Sequence, residues 1–287
     1  MREKWTIVIY IKNREYDILE RTMITTISSL VGQIVAQGRA FQLAMVVIIG
    51  ILTYIAYYLG KEGKEWEIRP LEALEATYEG IGRAAEMGRP IMMLPGISDL
   101  GNPQTLAGLT LFGEVSQQSA EIGVEAIASA SDSSVITAVE AIVRSSYTAA
   151  GKPELYSPGK FVRWFGGDQF AYAVGAAGHI LGDKPAVVLY VGYFLFDVIV
   201  SGDTGARVGS IQIGGTLGSM NMIAMMCDYI FIGEEIFAAA ASITRDREAI
   251  ATIAGQDWVK LLALLVMVVG VILMAAGSDV VSKLMGM

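Results

Sequence analysis

One cysteine and one histidine stand among 287 residues, and that scarcity removes several chemistries at once. Cys227 alone cannot close an intramolecular disulfide, so no disulfide framework holds the chain. It abuts an apolar run that reads as a strand, which suits a small buried thiol better than a reactive one. Without a second histidine or partner cysteines, a zinc site is not expected. A hydrolase triad would have only His179 to draw on, and its place after Gly178 in a predicted helix suits a packed or solvent-tipped residue. No Gly-x-Ser-x-Gly elbow occurs. Gly60-Lys61 and Gly63-Lys64 lack the spacing and the following Ser or Thr of a Walker A loop. Gly175, Gly178 and Gly182 fall within or at the end of a predicted helix, so they form no dinucleotide fingerprint.

Charge is scarce too. Only 17% of residues are charged and mean hydropathy is +0.50, against about 25% charged in an ordinary soluble domain. Residues 40–60 and 261–278 account for the excess, running 21 and 18 residues without a charge. A helix crossing a bilayer needs about 20 such residues. Tyr54, Tyr57 and Tyr58 end the first run and Trp258 precedes the second, where amphipathic rings favour the membrane interface. Lys61, Lys64 and Arg69 after the first run, and Arg245, Arg247 and Lys260 before the second, predict a cytoplasmic middle with both termini outside. Neither run contains an ionisable group of the kind transporters need. The net charge of −8 excludes nucleic acid as a partner, since phosphates demand Lys and Arg. Residues 5–11 are too short and too closely followed by charge for a cleavable leader. Apolar residues recur at helical spacing over 16–39, predicting an amphipathic helix on the membrane or against a neighbouring subunit. A third spanning helix over 22–38 is the alternative.

Between the runs, short apolar segments alternate with helical ones. Residues 185–191, 208–213 and 229–232 are rich in Val, Ile, Tyr and Phe, and each ends in a glycine turn before a segment of helical length. A β-turn-α repeat of polar-poor strands signals a parallel sheet covered on both faces. Residues 91–94 and 124–128 read as further strands, with 161–165 as a candidate edge strand. Helices are expected over 70–88, 105–122, 133–149 and 168–181. The chain thus divides into an N-terminal segment (1–39), a span (40–60), a linker (61–69), an α/β domain (70–257), a second span (258–278) and a tail (279–287). The expected fold is α/β, a Rossmann-like or flavodoxin-like parallel sheet of about five strands inserted between two transmembrane helices.

Ligands of open parallel sheets bind beyond the carboxyl ends of the strands. Those ends carry Gly96, Ser98 and Asp99; Asp132; Gly192; Gly214, Gly215 and Thr216; and Glu234 and Glu235. These are the candidate ligand-binding residues. Gly214-Gly215-Thr216 is the best anion candidate, because N–H groups at a helix start can cradle phosphate; tight-turn geometry explains the same glycines. Asp99, Asp132, Asp197, Asp203, Glu234 and Glu235 are candidate ligands for a hard cation. Asp203-Thr204-Gly205-Ala206 matches an aspartic-protease loop, yet no second copy is present, and it reads as a glycine turn ending a helix. No catalytic or metal-ligating set emerges, and no cofactor is implied.

Several separated motifs carry a family resemblance. They run from Ile81-Gly82-Arg83-Ala84 and Glu86-Met87-Gly88-Arg89-Pro90 to Leu94-Pro95-Gly96. Further on come Asp168-Gln169-Phe170-Ala171-Tyr172, Gln212-Ile213-Gly214-Gly215-Thr216 and Cys227-Asp228-Tyr229. Ile232-Gly233-Glu234-Glu235 and Gly255-Gln256-Asp257-Trp258 complete the set. Over most of residues 60–275 the chain resembles an uncharacterised prokaryotic membrane-protein family, known only as a domain of unknown function. The resemblance implies a span, a cytoplasmic α/β domain and a second span, with no catalytic residue to carry over. Together with the small-residue faces at 173–177 and 238–241, the expected role is a membrane-anchored scaffold that forms homo-oligomers. The competing expectation is a nucleotide or small-ligand sensor or enzyme using the glycine-rich strand ends.

Overall fold

The computed structural model describes residues 40–66 and 68–277. The segments expected over 1–39 and 279–287 lie outside the described residues. Residues 59–254 form one compact unit, and the described helical segments on either side of it in sequence belong to another.

Helices α1 (Ala40–Lys61) and α9 (Arg247–Ala275) are long and apolar enough to cross a membrane. Helix α9 begins earlier than the expected second span, so residues 249–258 are helical rather than a connection. Where α1 meets α9, a Cβ on Gly255 would lie 2.9 Å from that of Ala56 and 3.2 Å from the Thr53 Cα. Small residues permit that close crossing.

The α/β unit runs α2 (Glu72–Met87), β1 (Ile91–Gly96), α3 (Pro103–Ile122), β2 (Ala126–Ala130) and α4 (Ser133–Ala149). A 3₁₀ turn at Pro153–Leu155 leads to β3 (Val162–Trp164), α5 (Gln169–Asp183), β4 (Val187–Tyr193) and α6 (Asp197–Val208). Then come β5 (Ile211–Gly215), α7 (Met220–Met226), β6 (Tyr229–Phe231) and α8 (Glu235–Thr244). All neighbouring strands pair in parallel, in the order β3-β2-β1-β4-β5-β6. That order is the doubly wound Rossmann arrangement, whose two halves diverge between β1 and β4. Six strands replace the expected five or so, because the candidate edge segment pairs with β2 as β3. Strand β2 also starts two residues later than its apolar run suggested.

Strands β1 and β2 are buried throughout and β4 nearly so, as strands covered by helices on both faces must be. Helix α3 packs on α4 and α8, while α5 packs on α6 and α6 on α7. Ala173, Ala176, Ala238, Ala239 and Ala241 are buried inside this unit. The small-residue faces expected to join subunits are therefore consumed by internal packing. Asp203-Thr204-Gly205-Ala206 is also no turn. It lies within α6, where Gly205 admits the Gln212 side chain, and the helix ends only at Gly209 in a left-handed conformation.

The switch point is closed by backbone. Gly96 has φ +83°, and a Cβ there would fall 2.0 Å from the Tyr193 carbonyl oxygen. Just beyond it, the Ile97 N–H donates to that same oxygen at 2.9 Å. Helix α3 presses on β4 from one side, so closely that a Cβ on Gly108 would sit 2.2 Å from the Val191 carbonyl oxygen.

Candidate functional site

The sequence-derived residues fall along the carboxyl edge, except Asp203, which lies within α6 paired with Arg207, and most are already employed. Asp132 caps α4, accepting from the Ser134 N–H at 2.8 Å and the Val135 N–H at 3.4 Å. Its acidity is increased, chiefly by the Ser134 hydroxyl bond. Asp99 accepts from the Gly101 N–H at 2.9 Å within its own loop, and Ser98 is half-buried beside it. Glu235 accepts from the Ile232 N–H at 2.8 Å and pairs with Arg69. Glu234 occupies the N-cap position of α8, where its carbonyl accepts from the Phe237 and Ala238 N–H groups. Gly192 lets β4 approach β1, since a Cβ there would meet the Pro95 carbonyl oxygen at 2.0 Å.

The turn after β5 is filled from within. The Gln104 amide oxygen, brought by α3, accepts from the Leu217 N–H at 2.6 Å and from the Thr216 hydroxyl at 3.2 Å. Thr216 is fully buried. The space at Gly214 is taken by Cys227 and Ile223, and that at Gly215 by Phe231 and Ile236. The N–H expected to cradle an anion thus donates to a carboxamide, and the glycines serve packing.

Two buried polar groups that sequence reasoning underrated lie on the β1/β2/β4 side. Asp197 opens α6 just beyond β4, 1% exposed. Its Oδ1 accepts from the Leu195 N–H at 2.9 Å and the Gln169 side-chain amide at 3.0 Å. Its Oδ2 is buried without a hydrogen-bond partner among the described residues. Burial pushes this carboxyl up, while the Leu195 and Gln169 bonds oppose the rise. Tyr172, fully buried, donates to the Ser129 carbonyl at 3.4 Å and feels the Asp197 charge.

Nearby, Ser129 Oγ lies 2.5 Å from His179 Nδ1. His179 Nε2 lies 2.8 Å from Asp183 Oδ2, at ion-pair distance but poorly aligned for a hydrogen bond, and Arg163 reaches the same oxygen at 3.0 Å. Burial first, then Arg163, pushes His179 down to about 4, so the imidazole is neutral near pH 7. These are the residue types of a hydrolytic triad, yet Ser129 Oγ is sealed within β2. The chain of groups fixes α5 on the sheet rather than meeting a substrate. Helical spacing alone gave no sign of it, because Ser129 and His179 are 50 residues apart.

The two edges of the sheet differ in charge. Connections leaving the carboxyl ends carry Asp99, Asp132, Asp168 and Glu234 and no lysine or arginine; Arg69 reaches this edge through Glu235. Connections entering the amino ends carry Arg89, Lys152, Lys160 and Lys184 beside Glu125, Glu154 and Asp228. Two clefts open on the amino side. One, about 370 Å³, lies between α2 and the starts of β5 and β6, with Glu79, Arg83 and Asp228 in its wall. The other, about 280 Å³, includes Arg89 and Glu125. Among the described residues no group of three or more His, Cys, Asp or Glu side chains is placed to hold a metal ion.

A family model described as a domain of unknown function (DUF6754) matches residues 31–285. No curated protein and no solved structure matches the chain.

Proposed function

The chain belongs to the DUF6754 family, a domain of unknown function, and from that premise we propose that it is a membrane-anchored scaffold that assembles with copies of itself. Helices α1 and α9 anchor it in a lipid bilayer, and the basic residues beside them put the α/β unit in the cytoplasm. The acidic composition turns nucleic acid away.

One observation carries the reading. On α5, Phe170, Val174, Ala177 and Leu181 follow one another at steps of four, three and four residues, the spacing of a helix-docking seam. In the single chain this seam faces outward: Phe170 is 68% exposed, Val174 67% and Leu181 58%. An aligned apolar stripe on an outer helix is the mark of a protein interface, whereas scattered exposed apolar residues are not. Confinement to a membrane plane raises the local concentration of such seams and favours their pairing.

Native mass spectrometry of the detergent-extracted chain tests this. A multimer is expected, and Phe170→Glu with Val174→Glu is expected to return monomers with unchanged helix content. A strict monomer from the unaltered chain at membrane-like concentration would sink the idea.

A further inference from the structure

Among the described residues the carboxyl edge is one-sided in charge, with Arg69 reaching it only through its pair with Glu235. Its connections hold four carboxylates and no basic side chain. Within that field, at the point where the strand order reverses, sits a carboxyl that is 1% exposed with one oxygen unpartnered. Burying a polar oxygen without a donor is costly, and burying an ionised one far more so. Open α/β sheets receive their ligands at this switch point.

The chemistry narrows what would satisfy it. A phosphate or carboxylate ligand would enter a field of its own sign and meet the oxygen of Asp197, with no lysine or arginine in the strand-to-helix connections to compensate. A bare divalent cation would need several oxygens, and no three carboxyl, imidazole or thiol groups converge among the described residues. A cationic N–H donor fits both the field and the vacancy. The surroundings suit an organic one: Phe196 immediately precedes Asp197 and lies 4.7 Å from the Phe170 ring, centroid to centroid. Tyr172 stands close enough to feel the carboxyl charge. Aromatic faces beside a carboxylate are a recognised environment for ammonium groups.

We propose that the β1/β4 switch point binds a small organic amine as its ammonium ion, with Oδ2 of Asp197 as the buried acceptor. The ligand N–H donates to Oδ2, while the Leu195 N–H and Gln169 amide continue to hold Oδ1. A charged partner keeps the carboxyl ionised in spite of its burial. Because Oδ2 is covered, the Phe194-Leu195-Phe196 loop must yield as the amine enters, which lowers affinity relative to a preformed pocket. The site shares Phe170 with the seam on α5, while its acceptor, Asp197, lies on α6 outside that seam.

Isothermal titration of the full chain in detergent, with putrescine, spermidine and inorganic phosphate as separate probes, tests this. Saturable binding of an amine and none of phosphate is expected. Asp197→Asn should weaken it by about tenfold or more, the value of a charge-assisted hydrogen bond, and Glu154→Gln, on the exposed amino edge, should leave it unchanged. No saturable amine binding, equal affinity in Asp197→Asn, or phosphate binding in place of amine would each overturn the proposal. Should Asp197→Asn not fold, carbodiimide coupling of putrescine to the unaltered chain, mapped by mass spectrometry, replaces it. Coupling at Asp197 despite its burial supports the site; coupling confined to exposed carboxylates overturns it.

Discussion

At the amino edge of the sheet, one long side chain ties separate segments together; at the carboxyl edge, backbone does the work. The Arg89 guanidinium donates to the Pro185 carbonyl at 2.9 Å and the Val208 carbonyl at 3.0 Å, and its Nε to the Lys184 carbonyl. It joins the entry to β1 with the entry to β4 and the end of α6. At the opposite edge Gly96 and Gly192 bring β1 and β4 into direct backbone contact, with no lysine or arginine in the connections around them. A side-chain clamp tolerates open clefts around it, and both clefts described lie on that side. A backbone clamp leaves room only for what enters by displacing the neighbouring loop. A Rossmann strand order alone therefore does not say what the carboxyl edge receives. Charge and occupancy decide that.

The comparison breaks most severely at glycine. Gly96→Val or Gly108→Val drives a side chain into a backbone carbonyl that cannot move, and Gly96 also needs its left-handed φ. A loss of more than about 4 kcal/mol is expected, enough to abolish folding, read as lost yield and lost cooperative melting. Next comes the clamp itself. Arg89→Leu takes a donor from three carbonyls, of which Pro185 keeps the Ser210 hydroxyl at 2.6 Å, and should cost about 2–4 kcal/mol in urea unfolding. Arg89→Lys should recover little of that, because a single ammonium cannot reproduce the forked geometry.

His179 gives a smaller, pH-dependent effect. Its folded value of about 4 lies below the ordinary histidine value of about 6.5, so the unfolded chain takes up the proton first. Stability present above about pH 6.5 is therefore lost as pH falls toward about 4. Asp197, raised by burial, works the other way, since its contribution declines as pH rises. Subtraction isolates the histidine. Between pH 7 and pH 4.5 the unaltered chain should lose about 2–3 kcal/mol more than His179→Gln does. Parallel losses in the two proteins would remove His179 from the account.

The smallest effects belong to exposed ion pairs. Arg207→Ala, which breaks an i,i+4 pair with Asp203, and Lys160→Ala, which breaks the pair with Glu125, should each change stability by about 0.5 kcal/mol or less. Larger values would mean that the charge of the amino edge stabilises the fold collectively. Urea midpoints at low and high salt distinguish the two cases.

Much of the fold was readable because its causes are local. The charge-free runs behind α1 and α9 and the Val- and Ile-rich strands each follow from neighbours a few residues apart. The boundary of β2 slipped by two residues because Val124 is as apolar as the strand itself. The edge strand β3 was only a candidate, since its pairing partner supplies what its short, half-polar sequence does not. The candidate ligand-binding residues could be placed at the carboxyl ends of the strands, but the contacts that occupy them come from far along the chain. Gln104 reaches Thr216 across 112 residues, and Ser129 meets His179 across 50.

The sequence by itself determined the class of this protein: two helices fit to cross a membrane, a buried parallel sheet between them, and an acidic net charge. Those properties sum over single residues and their near neighbours, so no long-range knowledge is needed to read them. Only the tertiary structure decided the strand order, the filling of the glycine turn and the outward-facing seam on α5. It alone also left one oxygen of Asp197 buried without a donor. Burial and hydrogen-bond satisfaction are properties of where distant segments meet.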